Sequence, residues 1–128
     1  DNYKSVNSKS LASELFDLKI YELRERDAKK FKFDLFGIFH TLDHTFQPKK
    51  VLNFALNSSK LVVVYCHVDE QLEKQHLFSI TNSFLEYLSR NKIYHIDLTH
   101  KINKNFKTKE LYFICTKTKK NLEILNKK

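Results

Sequence analysis

The amino-acid sequence predicts an α/β fold, with a mostly parallel sheet that closes on an antiparallel C-terminal strand pair. Two nearly continuous apolar runs, residues 33–39 and 61–65, have the composition of strands buried on both faces. Between them lies a segment of helical period opened by the single proline, Pro48, so the three together read as a β-α-β unit with parallel strands. Two more strand-like runs, 93–98 and 110–116, are joined by a basic segment with no helix between them, and are expected to pair antiparallel.

Each element has a local reason. Ser8 is a suitable N-cap for a short helix over 9–16, with Leu11, Ala12 and Leu15 on one face. Residues 17–22 alternate as a strand with Leu18 and Ile20 inward, and the charged stretch 23–32 reads as a loop or a ragged helix. The run Phe33–Phe39 then breaks abruptly into His40-Thr41-Leu42-Asp43-His44. Ligands of open α/β sheets bind beyond the carboxyl ends of parallel strands, which makes this polar cluster a candidate site.

Pro48 fits the first turn of a helix that runs to about Leu56 and turns Val51, Leu52, Ala55 and Leu56 toward a core, with Asn57-Ser58-Ser59 ending it. The β-branched run within 60–67 is the next strand, and the polar stretch 69–75 is a loop. Thr81 is placed to cap a helix over 82–90 that buries Phe84, Leu85 and Leu88, and Asn91 is a suitable left-handed stop. A Lys/Asn-rich tail, 117–128, follows the last strand.

Composition narrows the function classes. At 128 residues the chain is sized for one domain, and its 41% hydrophobic content supports a true core. No apolar run approaches the ~20 residues that span a bilayer, and no export leader opens the chain, so no membrane partner and a cytoplasmic location are expected. The chain begins at Asp1 and has no Met, which reads as a portion of a longer protein. The net charge of +8 either attracts a polyanion or forms a solvated lysine surface; the second reading is favoured because Arg supplies three of the 23 cationic residues.

Cys66 and Cys115 fall inside strand runs and read as buried, reduced thiols. Without a C-x-x-C pair no zinc site is expected. His40 and His44 have i, i+4 spacing, which suits a metal on a helix, but without an identified third ligand or the full zinc-protease pattern no metal is expected.

Phe33-Asp34, then His40-Thr41-Leu42-Asp43-His44 and Pro48, resembles the fourth strand and following turn of class I S-adenosylmethionine-dependent methyltransferases. In that family a Phe-Asp opens the strand, a Leu-Glu-His-like triplet follows it, and an Asp-Pro-like pair starts the next helix. Here Asp43 stands for the Glu and Gln47 precedes the proline. Residues 61–65 resemble the fifth strand, and His76-Leu77-Phe78-Ser79-Ile80-Thr81 resembles the family's His-Leu-x-x-Phe-Thr approach to the next helix. The resemblance spans about residues 7–117.

It implies a Rossmann-like sheet that is incomplete at its N-terminus, because the family's Gly-rich cofactor loop has no counterpart: the chain's one glycine, Gly37, lies inside a strand. It also implies S-adenosylmethionine as cofactor and methyl transfer to a small-molecule acceptor, with this chain as the C-terminal part of a larger enzyme. By position, Asn7 and Glu22 would face the ribose and adenine, and Phe39 and His40 the sulfonium and methionine part. His44 and His67 would lie on the substrate side. Read from the residues alone, the apolar run favours Phe39 as a core side chain and the turn favours His44 as its tie, while Glu22 and His67 are equally surface groups. The alternative function is a non-catalytic methyltransferase-like module that binds nucleic acid or an acidic partner through the basic segment 99–109, with Phe106 and Tyr112 available for stacking.

Overall fold

The computed structural model describes residues 25–68, 77, 79–102 and 110–126. The chain divides into two compact units, Asp1–Lys30 and Phe31–Lys128. In the first, the described part is a single helical turn, α1 (Glu25–Ala28), within the charged stretch read as a loop or ragged helix. The helix over 9–16, the strand over 17–22, the loop over 69–75 and the residues Asn7 and Glu22 lie outside the described residues.

The second unit runs β1 (Phe33–Phe39), α2 (Pro48–Ser58), β2 (Ser59–His67), α3 (Ser83–Arg90), β3 (Tyr94–Asp97), α4 (Thr99–Ile102), β4 (Glu110–Thr116) and α5 (Lys119–Asn126). Its four described strands lie in the order β1-β2-β4-β3. β1 and β2 are parallel, and β4 is antiparallel to both β2 and β3. Three strands therefore run one way and the last opposes them, as the expected α/β topology with its antiparallel C-terminal pair requires. The parallel step follows from chain length: a crossover between parallel neighbours needs about a dozen residues, and the loop with α2 supplies it.

One face of this sheet carries the core. Ile38, Val62, Val64, Cys66, Leu111, Phe113 and Cys115 form one buried cluster with Leu52, Ala55 and Leu56 of α2 and Leu88 of α3. The period-2 register explains the selection, since Ile38 pairs with Val64 and Val64 with Phe113 across three adjacent strands. Both cysteines are free and buried, as their strand positions imply.

Expectation and structure differ at four places. The segment between β3 and β4, expected to hold no helix, opens with the helical turn α4, whose first residue, Thr99, donates its amide to Asp97 Oδ1 at 2.9 Å. β1 is not buried on both faces: Ile38 is 3% exposed, whereas Leu35 is 58% and Phe39 59% exposed. It is the outer strand of the described sheet, and alternation places Leu35, Gly37 and Phe39 on the face opposite the core. At the end of α3 the left-handed residue is Lys92 (φ 57°) rather than Asn91 (φ −92°), whose side-chain amide instead donates to Tyr87 O at 2.8 Å. At its start Asn82, not Thr81, occupies the N-cap position, without a side-chain cap bond. The Lys/Asn-rich tail carries α5, and Asn121 of that helix donates to Lys60 O at 2.9 Å. Among the described residues no helix is long and apolar enough to cross a membrane.

Candidate functional site

Because β1, β2 and β3 share a direction, their carboxyl ends meet at one edge of the sheet, together with the amino end of the opposing β4. Phe39, His67, Asp97 and Glu110 end up at this edge from four separate stretches of sequence. Behind β1 the backbone changes conformation at His40, whose φ of 47° is in the left-handed region, uncommon outside glycine although His, like Asn and Asp, is enriched there. Its amide still donates to Tyr65 O at 2.9 Å, which extends the parallel ladder by one bond and turns the imidazole toward β2.

The His40 ring meets the Tyr65 ring edge-on at 4.0 Å between centroids and the His67 ring at 4.3 Å. Its Nδ1 is 3.4 Å from Nδ1 of His67. Burial first, then the neighbouring His67, hold His40 below the ordinary histidine range, against the opposing pull of Asp43 and Glu110. It is therefore a neutral imidazole at neutral pH.

The turn after β1 is stitched locally. Thr41 Oγ1 donates to Phe39 O at 2.8 Å and the His44 amide to Thr41 O at 3.1 Å. Its two interior residues, Leu42 and Asp43, are 0% and 1% exposed, so the turn is pinned by one apolar and one charged side chain. The Asp43 carbonyl accepts from the Leu77 amide at 2.8 Å. Its carboxylate Oδ2 lies 3.4 Å from His67 Nδ1 and 3.6 Å from His44 Nε2.

A second polar group adjoins the first. The Tyr65 and Tyr112 rings stack at 4.3 Å, 6° from parallel, because the two residues are register partners in β2 and β4. Both hydroxyls donate to Glu110, Tyr65 to Oε1 and Tyr112 to Oε2 at 2.8 Å. Burial, reinforced by the bond to Glu110, pushes the Tyr65 hydroxyl well above the usual phenol range, so it stays a donor.

Of the six residues assigned from sequence, Phe39, His40, His44 and His67 gather at this edge, and Asn7 and Glu22 lie outside the described residues. Sequence reasoning missed Asp43 as the charge at the centre and the Tyr65–Glu110–Tyr112 group. The register that joins Tyr65 to Tyr112 and His67 to Glu110 links residues far apart in sequence, which no local pattern signals.

A depression of about 450 Å³ lies at the opposite edge, by the amino ends of β1 and β2, among Lys32, Phe33, Asp34, Asn57, Lys60 and Asn121. Its lysines are engaged within the protein, Lys60 with Asp34 at 2.6 Å and Lys32 with Asn57 O at 2.7 Å. The Lys60 ammonium holds the Asp34 carboxyl below its usual range. No family model matches the chain, and no curated protein and no solved structure is significantly similar to it.

Proposed function

We propose that this chain belongs to an S-adenosylmethionine-dependent methyltransferase domain that acts on a small-molecule acceptor. The observation that carries the reading is the pairing of an exposed Phe39 ring with a left-handed, neutral His40 at the carboxyl end of β1, directly beside His67 at the carboxyl end of β2. Non-glycine residues held in the left-handed region cluster at functional sites, and His40 is one at a polar strand end. The opposed direction of β4 supports the same reading.

The cofactor supplies an electrophilic sulfonium methyl. The described residues suit one side of it: the Phe39 ring, 59% exposed, offers an aromatic face to a cation, and a neutral His40 adds no repelling charge. His67 and His44 face the acceptor side, where His67 serves as a proton acceptor for the nucleophile and Asp43 orients it. Most of the acceleration then comes from alignment of the acceptor with the methyl group. Gly-rich backbone for close cofactor approach is not available in this sequence, whose single glycine sits in β1. The alternative that draws on that scarcity is a non-catalytic methyltransferase-like module whose lysine surface meets nucleic acid or an acidic partner.

Titration calorimetry of the full-length protein with S-adenosylmethionine separates them. One-to-one binding, weakened roughly 2- to 30-fold by Phe39→Ala with the fold retained, is the expected result. No binding overturns the enzyme reading. If single-stranded oligonucleotide instead binds with a steep salt dependence, the module reading stands.

A further inference from the structure

We propose that Asp43, His44 and His67 form a binding site for one divalent transition-metal ion of the zinc type. One carboxylate oxygen of Asp43 and one ring nitrogen each of His44 and His67 lie within 4.8 Å of one another. The two distances from Asp43 Oδ2, 3.4 and 3.6 Å, are long for charge-assisted hydrogen bonds, which close to about 2.7–2.9 Å. The first falls within, and the second just beyond, the separation of ligand atoms around a four-coordinate ion, about 3.3–3.5 Å when each bond is near 2.0–2.1 Å, so small side-chain rotations close the set around one ion.

The donor set has matching chemistry. Two imidazole nitrogens and one carboxylate oxygen suit zinc and its neighbours rather than magnesium or calcium, which take oxygen ligands. The sequence spacing of His40 and His44 pointed away from a metal because it demanded a helix and a third ligand. The structure places these residues on a turn, where His44 joins its neighbour Asp43, and the third ligand comes from the next strand.

The scaffold holds the ligands at three levels of burial: Asp43 is 1% exposed, while the His67 and His44 side chains are 28% and 34% exposed. Asp43 is anchored through its carbonyl to Leu77. Three protein ligands leave a coordination position for water or a ligand oxygen, the arrangement of a reactive site rather than a closed structural one. His40, with Nδ1 3.4 Å from that of His67, borders the site without belonging to the triad. This assignment stands without the methyltransferase reading, and an ion at His67 Nδ1 replaces the proton-acceptor role given to His67 there.

The test uses tag-free, metal-stripped full-length protein titrated with zinc chloride, and with cobalt(II) as the spectroscopic probe. One equivalent of zinc is expected, and cobalt should give the intense visible bands of a four- or five-coordinate ion. His44→Ala and His67→Ala should each weaken binding by at least about tenfold, and Asp43→Asn, near-isosteric and so suited to the buried position, should do the same. His100→Ala, an exposed histidine on α4, should bind as the parent does. His44→Ala tests the site even if the His67 variant fails to fold, because the His44 side chain is partly solvent-exposed. Absence of zinc binding, or binding that all three ligand variants retain, overturns the proposal.

Discussion

Asp43 is a single carboxylate placed between two imidazoles, inside a turn whose other interior residue is Leu42. Taking a charge out of water costs several kcal/mol unless partners compensate, so its burial is the least expected residue-level fact in the fold. The cysteines follow simpler physics. Burial pushes the thiols of Cys66 and Cys115 up to about 12, from an ordinary value of 9.0. Native protein at pH 8 should therefore react with a thiol-specific disulfide reagent far more slowly than protein in denaturant, where both thiols react at once; rapid native reaction of either would contradict its burial. The sign of the linked stability is fixed as well. The unfolded chain loses its thiol protons first, so this contribution is intact below about pH 9 and is lost as pH rises toward 12. Buried cysteines were legible from their strand runs. Asp43 was legible as a residue of the polar turn but not as its buried centre, because adjacent Leu42 and His44 give no periodicity from which to read its depth.

Single elements show where sequence rules hold and where they slip by a residue. β1 and β4 have the bounds their composition implies, and α2 begins at Pro48 and buries Leu52, Ala55 and Leu56 as its 3.6-residue spacing requires. The misjudged face of β1 has a definite cause. An unbroken apolar run does not say whether both sides of a strand are packed, since that depends on what neighbours it has. The end of α3 was displaced by one residue for a similar reason. Ile93 N–H donates to Leu88 O at 2.9 Å and Lys92 N–H to Ser89 O at 3.0 Å, a Schellman closure in which Lys92 takes the left-handed position. Asn91 is the residue type that favours that conformation, but its amide is used to cap Tyr87 O instead. A lysine at φ 57° carries the Cβ clash that glycine avoids. Lys92→Gly should raise unfolding free energy by about 1 kcal/mol, seen as a higher urea midpoint at unchanged slope; a lower midpoint would mean that the lysine side chain contributes more than its backbone costs.

For the unit Phe31–Lys128 as a whole, the strand order makes β4 the joint of the sheet. It is last in sequence among the four yet lies between β2 and β3, so Tyr94–Asp97 are attached to the rest of the sheet through it. Phe113 is the side chain that makes this joint a core: it is fully buried, faces Val64 in β2 and Asp97 in β3 by register, and lies 5.8 Å from the Phe84 ring of α3. The sequence shows an apolar run over 111–115 but not its interior place, because strand order follows from long-range pairing rather than local pattern. Removing such a ring costs about 3–5 kcal/mol, a large share of the 5–15 kcal/mol that holds a domain together. Phe113→Ala should therefore lower the unit's stability by about 3–5 kcal/mol, whereas Leu35→Ala, at a position 58% exposed, should change it by less than about 1 kcal/mol. Chemical denaturation followed by far-ultraviolet circular dichroism and by tyrosine fluorescence measures both effects. With Phe113 intact the two signals should coincide, because β1, β2, β4, α2 and α3 share one cluster and β3 is paired to it through β4. If β3 separated before β1, α2 and β2 the transitions would split, and the sheet would be two cooperative pieces instead of one.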